Sequence, residues 1–367
     1  MSVASLRVYV GTRSLGADHI HCLSLDRNSG ALSEAAVPQA VDKPSFVALH
    51  PQGGTLYAVN ELGDSRSQCY GAVSSFAIDQ AAGGLSFLNQ RETGGAAPCQ
   101  VSIARDGRRL FVANYWGGSV ASFALETDGR LGPMIAFVQH EGGARGPGRD
   151  PGPHAHWTSA GEDGRYLYVT DLGRDELLVY PMDEAGLFDA STAAVFRFPD
   201  GTGPRHAVFV GGGKLCAVVG ELASNVTLFD HDAIYGRLTK PRVLPTLPVG
   251  WTGENAAAEI AATPNERFLY ISNRGHDSIA IFRIDPEFGR LIPSGFSSAC
   301  GRTPRHFAID PAGRLLVVAN QGSNNLAVLS IDAATGQLRS TGKSYAVTAP
   351  TCVVIAVPGG AKREANA

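Results

Sequence analysis

Short apolar runs closed by one small residue recur along the chain. They are Leu56-Tyr-Ala-Val-Asn60, Leu110-Phe-Val-Ala-Asn114, Leu167-Tyr-Val-Thr-Asp171, Cys216-Ala-Val-Val-Gly220, Leu269-Tyr-Ile-Ser-Asn273 and Leu316-Val-Val-Ala-Asn320. Their length and their β-branched and aromatic content predict strands. Sixteen residues before each closing residue stands Pro44, Pro98, Ala155, Pro204, Ala257 or Pro304, where a second short apolar strand is predicted to begin. Turn residues separate the two strands, as in Pro51-Gln-Gly-Gly54, Arg105-Asp-Gly107, Glu162-Asp-Gly164 and Pro311-Ala-Gly313. A further strand follows, such as Ser278-Ile-Ala-Ile-Phe282 or Asn325-Leu-Ala-Val-Leu329.

A turn of glycine followed by leucine then closes each unit. It recurs at Gly30, Gly83, Gly129, Gly186, Gly236, Gly289 and Gly336, at spacings of 46 to 57 residues. Four antiparallel strands per unit, seven times over, predict an all-β fold, a seven-bladed β-propeller. The ends are expected to close the ring. Arg7-Val-Tyr-Val-Gly11 reads as a second strand that lacks its first, and Pro350-Thr-Cys-Val-Val-Ile-Ala356 as a first strand with nothing after it. Paired, they complete blade 1 and leave no open sheet edge. Residues 1–358 are therefore read as one propeller domain and 359–367 as a disordered tail.

Composition narrows the function classes. The 44 Gly and 21 Pro among 367 residues exclude a long-helix architecture. No apolar run approaches the roughly 20 residues of a membrane-spanning helix, so a soluble protein is expected, without a membrane partner. Met1 to Leu6 has neither the basic stretch nor the apolar core of a signal peptide, which points to the cytoplasm. Six dispersed cysteines fit reduced, mostly buried thiols. A net charge of -3 leaves no footprint for nucleic acid. No HExxH, CxxC, P-loop or GxGxxG motif occurs, so neither a metal nor a cofactor is expected. The 31 basic residues include only five lysines; the arginine excess reflects either composition or bidentate anion binding.

Propeller geometry says where chemistry belongs. The start of each innermost strand and the end of the next lie on one face, around the central channel. Those positions hold Ser45, Cys99, His156, Arg205 with His206, Glu259, Arg305 with His306, and Thr351, and, after the second strands, Thr12, Glu61, Tyr115, Asp171, Glu221, Arg274 and Gln321. The ionisable groups crowd into blades 4 to 7. Buried charges are costly and are kept where a site needs them. Arg205, Arg274 and Arg305 suit a carboxylate or phosphate, and Glu221 and His156 are the candidate base and acid. His154 is the alternative to His156. His206, Glu259, Asn273, Arg305, His306, Gln321 and Glu61 complete the candidate substrate-binding set, with His154. Asp171-Leu-Gly-Arg-Asp175 is read as a loop held by Asx-type bonds. The Gly/Pro-rich stretch from His140 to Pro153 is read as either a lid or a plain surface loop.

These residues fall within longer motifs: Gly203-Pro-Arg-His206, Gly220-Glu-Leu222, Ala258-Glu-Ile260, Tyr270-Ile-Ser-Asn-Arg-Gly-His-Asp-Ser278, Thr303-Pro-Arg-His306, Val112-Ala-Asn-Tyr115 and Pro153-His-Ala-His156 with Asp171-Leu-Gly173. Through them, over nearly its whole length, the chain resembles the seven-bladed propeller lactonase family, which includes cofactor-independent 6-phosphogluconolactonases and fungal carboxymuconate lactonizing enzymes. The resemblance implies a catalytic set of His156, Arg205, Glu221 and Arg274. It also implies a small anionic lactone or carboxylate as substrate, with 6-phosphogluconolactone the leading choice. Muconate lactonization and a non-enzymatic binding propeller are the alternatives. A monomer or weak homo-oligomer is expected.

Overall fold

The computed structural model describes residues 5–14, 16, 18–64, 70–143 and 152–358. The expected disordered tail at 359–367, residues 144–151 of the Gly/Pro-rich stretch, and Cys69 lie outside these residues.

Each sequence unit folds as one four-stranded antiparallel sheet, and there are seven, built from strands β1 to β28 in chain order. Blade 1 has the order β28-β1-β2-β3, in which β28 (Pro350–Ala356) pairs antiparallel with β1 (Ser5–Thr12). The two ends of the chain thus close the ring as expected. The innermost strands of the other blades are β4 (Val47–Leu49), β8 (Pro98–Ile103), β12 (Ala155–Ala160), β16 (Pro204–Val210), β20 (Ala256–Ala262) and β24 (Pro304–Ile309). Each touches the innermost strand on either side, so with β28 they form a closed ring of seven. Blade 2 departs from the expected boundary, since β4 starts at Val47 rather than Pro44. There the chain turns at Lys43 (φ 43°) and the Ser45 amide donates back to the Lys43 carbonyl, which uses Pro44 to Phe46 in the turn.

The core is divided among the blade interfaces. Seven separate apolar clusters occur, each shared by two neighbouring blades. A blade therefore buries its faces only against its neighbours, which is why the repeat needs the whole ring. Each glycine turn links the third and fourth strands of its blade and packs against the blade before it. All seven glycines have φ between 58° and 86°, a conformation that only glycine adopts without strain. A Cβ at Gly336 would also meet the Phe268 ring at 2.4 Å. Tyr9, Tyr57 and Tyr270 donate their hydroxyls across the interface to the carbonyls of Gly83 (3.0 Å), Gly129 (3.1 Å) and Gly336 (2.8 Å). The described cysteines are all free thiols, and all but Cys300 are buried.

Candidate active site

A repeated backbone irregularity presents the channel side chains. At the start of β8, β12, β16, β24 and β28 the pairing with the next strand slips between the first residue and the third or fourth. Cys99, His156, Arg205, Arg305 and Thr351 sit in these bulges, which re-aim side chains that a regular strand would alternate. Before four of these bulges the chain also bends through a positive φ, at Ala97, Gly203, Thr303 and Ala349. Hydrogen bonds from the preceding blade hold two of the bends. Asp175 accepts the amides of Gly201 (2.9 Å) and Gly203 (2.6 Å), just ahead of Arg205. Asp277 accepts the Thr303 amide (2.8 Å), ahead of Arg305. Neither positioning acid was anticipated at its bend. The signal lay in register, since both stand four residues past the end of a second strand.

Glu221 lies at the centre of the charged cluster. One carboxylate oxygen is 3.0 Å from Arg205 Nε and the other 3.0 Å from Arg274 Nη2. Arg205 is buried and also donates from Nη1 to the Ala258 carbonyl (2.9 Å), while Arg274 donates to the carbonyls of Ala256 and Ala257. Burial would push the Glu221 carboxyl up, but the charges of Arg274, Arg205 and Arg305 outweigh it and hold the carboxyl below its usual range. Burial and the neighbouring Arg274 charge bring Arg205 down to about 10, so it remains a cation at neutral pH. The three groups form a stable triad of two cations and one anion.

A second cluster lies beside it. Glu259 Oε2 is 2.9 Å from His206 Nδ1 and 3.2 Å from His306 Nε2. The Val353 amide donates to His306 Nδ1 (3.4 Å), which places the His306 proton on Nε2, facing Glu259. Glu259 thus joins the identical Pro-Arg-His segments of blades 5 and 7. Burial raises the Glu259 carboxyl, and burial first, then the arginine charges, pushes His206 well below its ordinary value. His306 falls to about 4 because burial outweighs the Glu259 charge. Phe46 packs edge-on against both rings, at 5.8 Å and 5.4 Å, and gives the cluster an apolar backing. Phe46 was missed because its position in blade 2 carries polar groups in blades 5 to 7.

His156 belongs to this group and His154 to its border. Burial, Arg205, His206 and Arg305 drive His156 well below its ordinary value, so it is neutral, and its ring lies 5.2 Å from that of His206. His154 precedes β12, stacks on Tyr115 at 4.6 Å and donates from Nδ1 to the Tyr115 carbonyl (3.1 Å). The Asx reading of Asp171 holds, since it accepts the Arg174 amide (3.0 Å). It also accepts the His154 amide (2.8 Å) and pairs with His140 Nδ1 (2.6 Å).

Other expected members have different surroundings. Asn273 is used up by protein partners at the junction of blades 5 and 6. It donates to the Thr246 carbonyl and Ser278 Oγ and accepts from Thr246 Oγ1 and Asn255, which fills every bonding position of its side-chain amide. Asn60, Asn114 and Asn320 make corresponding ties to the carbonyls of Asp42, Thr93 and Ala299, just past the outer strand of the preceding blade, so this asparagine is part of the repeat and is not free for a ligand. Glu61 pairs with Arg13 at 3.1 Å on the blade 2 side, and its other oxygen is buried without a bonding partner. Gln321 opens a short 3-10 turn, half-buried. A cavity of about 970 Å³ over blades 1 and 2, lined in part by Arg13, Asp18, Lys43 and Phe87, contains none of the arginine cluster. Among the described residues no group of three or more His, Cys, Asp or Glu is set to hold a metal ion.

Comparison with known proteins places this arrangement. The family model described as "Lactonase, 7-bladed beta-propeller" matches residues 7–355. The 6-phosphogluconolactonase of Bacillus subtilis is 32% identical over 304 residues, covering 82% of this chain and 84% of its own. Among solved structures, the periplasmic gluconolactonase PpgL of Pseudomonas aeruginosa superposes with a TM-score of 0.89 at 31% identity, covering 96% of this chain and 99% of that one. A protein from Lactobacillus plantarum gives 0.86 at 29%, with 96% and 99% covered.

Proposed function

The chain belongs to the seven-bladed β-propeller lactonase family, and from that premise we propose that it hydrolyses 6-phosphogluconolactone to 6-phosphogluconate with the Glu221 triad as its reaction centre. The observation that carries this reading is a single carboxylate held between the buried Arg205 and the part-buried Arg274, in a cluster that includes a neutral histidine. An ester carbonyl set against Arg274 and Arg205 is polarised, and the oxyanion formed on attack is stabilised by charge already in place. Glu221 is ionised at neutral pH and takes a proton from the attacking water as the water oxygen bonds to the lactone carbonyl carbon. The bond from that carbon to the ring oxygen then breaks, and Glu221 returns the proton to the departing oxygen. The product is the open-chain acid with a free hydroxyl. His156, buried and neutral, orients the water without adding charge.

The substrate's anionic character follows from the same cluster, in which Glu221 balances only one of three guanidinium charges. The direct test is an assay of the purified protein on 6-phosphoglucono-δ-lactone, with and without Arg274→Met. Turnover by the native protein, reduced roughly 100- to 1,000-fold in the variant, is the expected outcome. Equal rates in the two proteins would remove Arg274 and its partner carboxylate from the chemistry.

A further inference from the structure

Of the three guanidinium groups in the channel, two are committed. Arg205 is taken by Glu221 and the Ala258 carbonyl, Arg274 by Glu221 and two further carbonyls. Arg305 is different. It is half-buried in the blade 7 bulge and makes no hydrogen bond or ion pair with any described residue. It occupies in the β24 bulge the position that Arg205 occupies in the β16 bulge, and its charge bears on Glu221, Arg205, Arg274, His156, His206 and His306, so it belongs to the same channel.

The backbone that carries it is fixed on both sides. Asp277 holds the Thr303 amide two residues before it, and His306, the next residue, is held by Glu259 and by the Val353 amide. A guanidinium carried on a fixed backbone, with five donors and no acceptor, is matched to an oxyanion that arrives with the ligand. With the lactone carbonyl at Glu221, between Arg205 and Arg274, the acceptor for Arg305 is a second oxyanion of the substrate, distinct from the reacting carbonyl. We propose that Arg305 is the specificity-determining residue that reads the substrate's phosphate and separates a phosphorylated sugar lactone from its unphosphorylated counterpart. This rests on the lactonase reading above.

The test compares kcat/KM for 6-phosphoglucono-δ-lactone and glucono-δ-lactone in the native protein, Arg305→Met and Arg305→Lys. The native protein is expected to prefer the phosphorylated lactone. Arg305→Met should lower that preference ratio roughly 10- to 100-fold, as expected for one lost charge-assisted pair, and Arg305→Lys should retain part of it. Equilibrium binding of 6-phosphogluconate against gluconate to the same proteins should follow the same order. A preference ratio that stays the same in Arg305→Met, with both substrates affected alike, overturns the proposal; if that variant does not fold, an unchanged ratio in Arg305→Lys decides against it too. Should the native protein turn over neither lactone, the lactonase reading fails instead, and the binding measurement alone still decides whether Arg305 recognises phosphate.

Discussion

Five of the seven inner strands share one backbone device, yet the ring divides into two unlike arcs. In blades 1 and 3 the bulge residues are small and face protein acceptors: Thr351 donates to the Ser45 carbonyl (2.8 Å) and the Gly11 carbonyl (3.2 Å), and the Cys99 thiol lies 3.6 Å from the His156 carbonyl. In blades 4 to 7 the same positions carry His156, Arg205 with His206, Glu259, and Arg305 with His306, and several of their polar atoms are buried without a partner, among them His156 Nδ1 and His206 Nε2. The backbone is near-symmetric and the chemistry is not. One arc presents small and apolar side chains at the bulges, and the other crowds ionisable groups there with several polar atoms left unpaired, which costs stability and suits a site that a ligand completes.

The difference can be tested from its strongest point outward. Glu221→Gln should have the largest effect, a fall in kcat of about 1,000-fold with the acid limb of the pH–rate profile abolished. It also leaves Arg205 and Arg274 facing each other without their anion, at a stability cost of about 3 kcal/mol, readable by chemical denaturation.

Acid should act next. His306 titrates at about 4 in the folded protein against 6.5 when free, and His156 and His206 are shifted in the same direction. The unfolded chain therefore binds more protons between these values, so stability is complete above about pH 6.5 and is lost as pH falls toward 4. His306 alone accounts for about 3 kcal/mol of that loss. The raised carboxyl of Glu259 acts in the opposite sense and offsets part of it. Denaturation midpoints at pH 7 and pH 4.5 measure the balance, and a stability that did not decline would show that these histidines are already charged in the native state.

The smallest effect is expected in the other arc. Thr351→Val removes one hydroxyl that ties blade 1 to blade 2 and should cost about 1 kcal/mol, with kcat/KM changed by less than about twofold. A large loss of activity there would erase the division between the arcs.

Much of the fold and part of the site were legible in the sequence because the repeat exposes them. Seven Gly-Leu turns marked the period, and the sixteen-residue step from Pro204 to Gly220, repeated in five other blades, put Arg205, Glu221 and Arg274 on one channel. Asn273 misled for a related reason. It stands at a strand end like its neighbour Arg274, and only its partners, Thr246, Asn255 and Ser278, show that it serves the blade. Phe46 carried no chemical signal of its own; it gains its place by lying against His206 and His306, residues from blades 5 and 7.

The sequence alone determined the number of blades, the closure of the first from both ends and the arc in which charge collects, because turn chemistry and strand periodicity are local properties that each unit states for itself. The tertiary structure decided which charges remain available. Arg205, Arg274 and Arg305 are equivalent on paper. Glu221 meets the first two and leaves the third open, and Glu259 draws together histidines 100 residues apart, because those distances exist only once seven interfaces have packed and the ring has closed.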